Sequence, residues 1–262
     1  MRSFGSRPYT SSRMWRATAR VWAQTRSHRD RVEAAKTVFR RAAEVGPIAI
    51  SSSWGKDSVC CCDLAVDVLG EDVRIFHLAG PYELPGYEAI REHFALRAIV
   101  DEVPSSRTLA EVIEWLHDVG LGCDRTDKAK TARRKANVGE QWCRDQGIAI
   151  EVMGLRAEES RQRRLSALFR GQVYRRVSGI WVALPIAWWK STDVWAYLVS
   201  RNLPWHPLYD CETHGFNRYE LRNTGWLTTI DVSEGRVPWL RQHFPEQYRL
   251  LVEEWPHLRQ AQ

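Results

Sequence analysis

No apolar run in this 262-residue chain approaches the ~20 residues needed to span a bilayer. Its opening residues contain no apolar core of the kind that marks a secretory leader. The expectation is a cytoplasmic protein with no membrane partner. No two of the six cysteines (Cys60, Cys61, Cys62, Cys123, Cys143, Cys211) have C-x-x-C spacing, and three are adjacent. That pattern excludes a disulfide framework, fits a reducing compartment and offers zinc no paired ligands. A Walker A loop, G-x-x-x-x-G-K-S/T, is also missing. Acidic residues are absent from the first 29 positions, which hold seven arginines. Three readings of that arm compete: a tail for an anionic partner, an organelle transit segment, or an arm that packs its tryptophans on the domain.

What is present is a chain long enough for one large domain with additions. Its net charge of +6 and isoelectric point near 9.1 favour an anionic partner, for which nucleotides, sulfate and nucleic acid all qualify. The stretch that organises the chain is Ile48 to Ser58. Ile48-Ala49-Ile50 is a β-forming run, and Ser51-Ser52-Ser53-Trp54-Gly55-Lys56-Asp57-Ser58 is a loop of small polar residues. A helical pattern of Val59, Cys62, Val66 and Leu69 follows at once. Strand, small-residue loop and helix is the way α/β folds bind phosphate, because loop N–H groups and a helix N-terminus supply positive potential. Lys56 adds a full charge, and Ser53 and Ser58 add hydroxyls. Gly55 lets the backbone approach an oxyanion. Asp57 suits a metal ion or an orienting role.

Strands follow at 73–78, 98–103 and 148–153, separated by helices, so a parallel sheet of about five strands with right-handed crossovers is expected. The fourth strand runs into Gly154-Leu155-Arg156-Ala157-Glu158-Glu159-Ser160-Arg161-Gln162-Arg163. Ligands of open α/β sheets bind at carboxyl ends of strands. There Gly154 permits close backbone approach, and Arg156 can fork onto a phosphate or sulfate. Glu159 can hold that arginine or help bind a metal, with Arg163 one turn on. Helix 124–144 carries Lys128, Lys130, Arg133, Arg134 and Lys135, either a solvated face or a ligand-facing one. Ser191 or Thr192 would cap the helix of Val194, Tyr197 and Leu198. His206 reads as a packed histidine or a catalytic acid. Trp188, Trp189 and Trp239 read as core, or as an interface to a partner subunit or a second copy.

Ser53–Ser58 resembles the S-x-G-K-D-S signature of pyrophosphate-loop ATP pyrophosphatases. Its aromatic second position is that of sulfate adenylyltransferase small subunits and phosphoadenosine phosphosulfate reductases. Residues 154–163 resemble the G-x-R-x-x-E-S-x-x-R segment of the same group. The run from Pro185 through Trp189, Asp193-Val194-Trp195 and Pro204 to Pro207-Leu208-Tyr209-Asp210 resembles a third, mainly structural, motif. The resemblance covers roughly residues 30–230. It implies an α/β, Rossmann-like, adenine nucleotide alpha hydrolase-like domain over 30–210, after the basic arm at 1–29 and before a mainly helical extension at 211–262.

The same resemblance implies ATP as substrate, Mg²⁺ as its ion, and cleavage between the α and β phosphates to adenylylate sulfate or a nucleic acid. The implied nucleotide-binding set is Ser51, Ser53, Trp54, Gly55, Lys56, Ser58, Gly154, Arg156, Glu159 and Arg163. Lys56, Asp57 and Arg156 would be catalytic and Asp57 the metal ligand. Trp54 or His77 would stack on adenine. Three departures stand out. Strand two ends in Leu78-Ala79-Gly80 where relatives have Asp-Thr-Gly, with Glu83 a candidate stand-in. Trp226 and Thr229 occupy positions that are cysteines in iron–sulfur members, so no cluster is expected. No cysteine follows Cys211, which argues against thiol-based sulfonucleotide reduction. Two rival readings stay open: a reductase or sulfotransferase acting on phosphoadenosine phosphosulfate, and a non-catalytic module that binds nucleotide or nucleic acid.

Overall fold

A computed structural model describes residues 12–105, 108–119, 138–211, 218–219, 221–222, 226 and 236–260. Helices α1 (Ser12–Ala23) and α2 (Arg26–Ala43) lead into β1 (Ile48–Ser52) and α3 (Lys56–Leu69). Then come β2 (Arg74–Ala79), α4 (Glu88–Ala95), β3 (Ile99–Pro104), α5 (Leu109–Val119), α6 (Val138–Asp145) and β4 (Ile150–Met153). A 3₁₀ turn at Ala157–Glu159 precedes α7 (Arg161–Arg170), β5 (Val173–Arg175), β6 (Trp181–Ala183) and α8 (Ser191–Ser200). Helices α9 (Arg236–His243) and α10 (Pro245–Glu254) lie near the carboxyl end of the described residues.

The sheet has six strands in the order β3-β2-β1-β4-β6-β5. Its first five strands are parallel, and β5 is a short antiparallel edge beside β6. The expectation of about five strands thus holds for the parallel part, and the Gly179 turn adds the sixth. Period-two alternation divides the sheet between two helical layers. Ile50, Ile75, Ile150, Val152 and Ala183 face the large core that takes in α2, α3 and α8. Ala49 and Phe76 face α6, and Val182 faces α7. Burial of both faces explains why these strands read as apolar runs rather than as half-polar ones.

Helix α2 begins at Arg26, capped by the Thr25 hydroxyl. Residues 12–29, expected as an arm, form α1 and the first turn of α2, and their tryptophans do pack on the domain. Trp15 meets Trp195 edge-on at 5.4 Å, and the Trp22 indole donates to Asp193 at 2.8 Å. Asp193 also accepts from Arg31 and from the Lys190 N–H. It therefore caps α8 by reaching back to Lys190, a role expected of Ser191 or Thr192. Burial opposes its ionisation, yet hydrogen bonds from His28, the Lys190 N–H, Trp22 and Arg31 hold its pKa well below the usual carboxylate range. One buried carboxylate thus ties both N-terminal helices to the third motif. The expected helix at 124–144 and Cys123 lie outside the described residues up to position 137; its last turns form α6.

Candidate nucleotide-binding site

Because β1 and β4 are parallel neighbours, with Ser51 opposite Met153, their carboxyl ends open side by side. Leaving β1, the chain turns at Trp54 through a left-handed conformation (φ 53°), with the Trp54 N–H bonded to the Ser52 hydroxyl at 3.1 Å. Gly55 heads α3 without a side-chain cap. The N-cap thus covers none of the first-turn N–H groups with its own side chain, and the helix end carries positive potential. The Ser58 hydroxyl donates to the Gly55 carbonyl at 2.9 Å and fixes the turn. Ser51 hydrogen-bonds Glu151 across the strand pair. Ser53 is exposed at the mouth of the loop.

Gly154 follows β4 directly against this turn. A Cβ there would lie 2.9 Å from the Asp57 carbonyl carbon and 2.9 Å from the Ser58 nitrogen. The close approach expected of Gly154 is therefore an approach of one backbone to another, and it brings the second motif onto the first. Arg156, two residues on, donates from Nε to Asp57 at 2.5 Å and from a terminal nitrogen to Glu158 at 2.6 Å. Burial works against the guanidinium charge, but Asp57 and Glu159 more than offset it, so its pKa sits above the ordinary value. Asp57 Oδ2 lies 3.5 Å from Lys56 Nζ.

Lys56 is 2% exposed. Its ammonium donates to the Leu221 carbonyl at 2.8 Å and sits 5.0 Å from the centre of the Tyr209 ring. The Lys56 N–H is bonded to the Tyr209 hydroxyl at 3.1 Å. Burial, the largest influence, pushes the ammonium pKa below its ordinary value in spite of Asp57. A desolvated ammonium next to a helix N-terminus is a strong electrostatic partner for an anion that enters.

Several expected roles change. Trp54 and His77 are both buried, and they pack on each other with ring centres 5.6 Å apart. Trp54 also stacks on Phe94. Neither ring presents a face for adenine, so the expected stacking does not occur in this conformation; a large apolar ring beside Phe94 gains more from the core than from solvent. Glu159 does not touch the Arg156 guanidinium. It accepts from the Arg156 N–H and from Arg163, so it shapes the turn while Glu158 holds the guanidinium. His206 is the packed histidine, with Nε2 3.2 Å from the Leu84 carbonyl and Nδ1 accepting from the Leu208 N–H. Trp239 is core, not surface, and donates to the Cys211 carbonyl. Glu83 does return to the end of β2, where it meets His77 at 3.0 Å. Thr229 lies outside the described residues, while Trp226 is buried and its N–H bonds to Tyr82.

Glu158, Tyr209 and the Leu221 carbonyl escaped the sequence reading. Glu158 was hidden beside Glu159. Tyr209 was legible only as part of the P-L-Y-D run, and a backbone carbonyl leaves no sequence signal.

Residues 47–219 match the phosphoadenosine phosphosulfate reductase domain. An uncharacterized protein of Methanocaldococcus jannaschii, MJ0066, is 23% identical over 225 residues, which cover 81% of this chain and 41% of that protein. The chain thus spans less than half the length of this relative. Among solved structures, phosphoadenylyl-sulfate reductase from Candida auris, a phosphate complex, aligns with a TM-score of 0.50 at 14% identity, over 78% of this chain and 94% of that one. Candida glabrata FMN adenylyltransferase in complex with ATP gives 0.52 at 14%, over 78% and 67%. The U34-tRNA thiolase NcsA of Methanococcus maripaludis, with its [4Fe-4S] cluster, gives 0.50 at 12%, over 89% and 82%. At these identities the solved structures establish a shared Rossmann-like fold. The domain match covers most of the chain, and the chain belongs to the phosphoadenosine phosphosulfate reductase domain family.

Proposed function

We propose that the domain binds ATP at the β1–α3 loop and cleaves it between the α and β phosphates, transferring AMP to an anionic acceptor. The observation that carries this reading is the meeting of Asp57 and Arg156. Residues 99 positions apart form one ion pair over the α3 N-terminus, at the ends of adjacent parallel strands. A structural ion pair has no need of that location, whereas phosphate binding does.

In the proposed reaction a nucleophilic oxygen of the acceptor attacks the α-phosphorus. The bond from that phosphorus to the α–β bridging oxygen breaks, and pyrophosphate leaves with the electron pair. Protein catalysis of such a step is positioning and charge neutralisation. Ser53 and α3 N–H groups would hold the β and γ phosphates, with the Ser58 hydroxyl fixing the turn beneath them. Lys56 would exchange the Leu221 carbonyl for a phosphate oxygen, and Arg156 would turn its fork to the α-phosphate. Glu158, Glu159 and Arg163 keep the turn bearing Arg156 in shape.

Mg²⁺ fits the site as an ion carried on the substrate. Among the described residues no three His, Cys, Asp or Glu side chains converge, but Mg²⁺ is commonly held by one or two carboxylates with substrate phosphates and water. Asp57 is the carboxylate at that position. Bound there, the ion would neutralise phosphate charge.

The family description supports a second reading, in which phosphoadenosine phosphosulfate is the ligand. Its reduction needs a thiolate. Burial raises the thiol pKa of every described cysteine: Cys62 and Cys143 to about 12, Cys60 and Cys61 well above the ordinary value, and Cys211 upward. ATP cleavage asks nothing of these thiols and is preferred. The test is pyrophosphate release from MgATP with sulfate or with a polynucleotide, beside Lys56→Ala and Asp57→Ala. Release that falls about a hundredfold or more in both variants is expected. No release with either acceptor, with phosphoadenosine phosphosulfate bound far more tightly than ATP by calorimetry, would overturn the proposal.

A further inference from the structure

A second feature opens on the same carboxyl edge of the sheet, beyond the Glu158 wall of the site. The segments that leave β4 and β6 diverge there and enclose an open groove of about 550 Å³. Arg161 and Arg164 line it from α7, and Lys190 and Trp188 from the segment before α8. None of these three cations forms an ion pair with a carboxylate among the described residues, whereas the nearby Arg156, Arg163 and Arg176 do. Trp188 is 44% exposed, while its neighbour Trp189 is 2% exposed and bonded to the Arg31 carbonyl. A half-exposed indole is a large apolar surface left in water, and it lines the same groove as the three cations.

The two features call for complementary things. Unpaired cations favour a chain of phosphates, and an open indole face favours a flat aromatic ring. A strand of unpaired nucleic acid presents both at regular spacing, and grooves that bind such strands combine basic walls with aromatic stacking platforms. A free inorganic anion would use the cations and leave the indole without a function. An apolar peptide would use the indole and leave three charges to be desolvated unpaired. Glu158 links the two places. It lines the groove and holds both the Arg156 guanidinium and the Ser191 N–H, so a strand in the groove runs one side chain away from the proposed reaction centre.

We infer that the groove of Arg161, Arg164, Trp188 and Lys190 binds single-stranded nucleic acid and presents it to the nucleotide site as the acceptor. The acceptor role rests on the ATP-cleavage reading; the binding does not. The phosphates of the strand would lie along Arg161, Arg164 and Lys190, and one base would stack on Trp188.

The experiment is fluorescence anisotropy of labelled 20-nucleotide uridine RNA and thymidine DNA strands, titrated with the full chain in the absence of ATP. Each arm is run from low to physiological salt. Wild type should bind with an affinity that falls steeply as salt rises. Trp188→Ala should weaken binding by about tenfold or more, and Trp188→Tyr should restore most of it. Arg161→Ala with Arg164→Ala should lower the slope of log affinity against log salt by about 1.4. Tighter binding of the RNA arm would assign a 2′-hydroxyl contact, and equal binding a groove that reads only base and phosphate. Thermal melts of the variants exclude unfolding as the cause.

Wild-type binding that all these variants retain would place the strand elsewhere and overturn the inference. So would absence of binding at low salt, or equal binding of polyphosphate or polyglutamate. Pyrophosphate release, measured separately on wild type and Lys56→Ala, reports on the ATP reading alone. Strand binding without ATP cleavage would therefore leave the groove standing and remove its acceptor role.

Discussion

Replacing Gly154 by alanine isolates the contact that joins the two site motifs. The backbone of Gly154 lies outside the left-handed region, so alanine meets no conformational penalty there. Its methyl group would stand 2.9 Å from the Asp57 carbonyl carbon, 2.9 Å from the Ser58 nitrogen and 3.0 Å from the Asp57 oxygen. Ordinary contacts begin near 3.4 Å, so about 0.5 Å must be found, and all three neighbours are backbone atoms that cannot swing aside. The end of β4 must move from the first turn of α3. Overpacking of this kind costs about 1–3 kcal/mol. For a chain of this size that lowers the melting temperature by roughly 2–4 °C per kcal/mol. The same displacement separates Arg156 from Asp57, so pyrophosphate release should drop by about a hundredfold. Gly171→Ala is the matched control: at φ +77°, ψ −172° it sits in backbone space that essentially only glycine adopts, with open space around the new methyl, so it should cost about 1–3 kcal/mol of strain and leave turnover unchanged. Melting curves and initial rates of both variants decide the matter. If Gly154→Ala melts and turns over like wild type, the steric junction described here is wrong.

Other perturbations follow from the same geometry. Lys56→Met should remove turnover; relief of the desolvated ammonium is offset by loss of the donor to the buried Leu221 carbonyl, so stability at neutral pH should change by about 1 kcal/mol or less, and a large fall in the urea midpoint would contradict this. The depressed Lys56 pKa makes the unfolded state bind more protons, so stability contributed by this group should rise as pH climbs through the folded value toward the unfolded value near 10.4. The same rise should be absent from urea titrations of Lys56→Met. Asp193→Ala leaves Arg31 and the Lys190 N–H without their buried acceptor and should cost about 3 kcal/mol, with the Trp15 and Trp22 contacts loosened in tryptophan fluorescence. The Asp193 pKa is depressed, so its contribution is present above the ordinary aspartate value and disappears as pH falls through the lower folded value; acid titration of wild type against Asp193→Asn reads that difference. Tyr209→Phe removes the hydroxyl that meets the Lys56 N–H and should cost about 1 kcal/mol by denaturant melting.

The parallel sheet and the two loops at its carboxyl edge were legible because Ala49–Ile50 and Ile75–Phe76 are buried on both faces and read as apolar runs, and Ile150 and Val152 flank the buried Glu151 between turn residues. Less legible was anything decided by partners distant in sequence. The three roles of Asp193 depend on Trp22, Arg31 and Lys190, and only the last is a neighbour in the chain. Trp54 carries a motif position shared with aromatic residues in relatives, which suggested a base platform. Its left-handed backbone instead turns the ring inward against Phe94, a contact 40 residues away in sequence. Arg156 was placed at the site by its motif, yet its resting partners, Asp57 and Glu158, come from two different elements. The N-terminal arginines mask an amphipathic helix whose tryptophans seal the third motif, because the apolar spacing of Trp15, Ala19 and Trp22 is interleaved with charge.

The most direct measurement of the central claim is the identity of the products. MgATP incubated with the protein and a single-stranded oligonucleotide or sulfate, followed by phosphorus NMR, shows which bond breaks. The account predicts pyrophosphate and an adenylylated acceptor or AMP, with no ADP, and loss of these signals in Asp57→Ala. Accumulation of ADP and inorganic phosphate in wild type would mean that the β–γ bond is cleaved instead, and the account would be wrong.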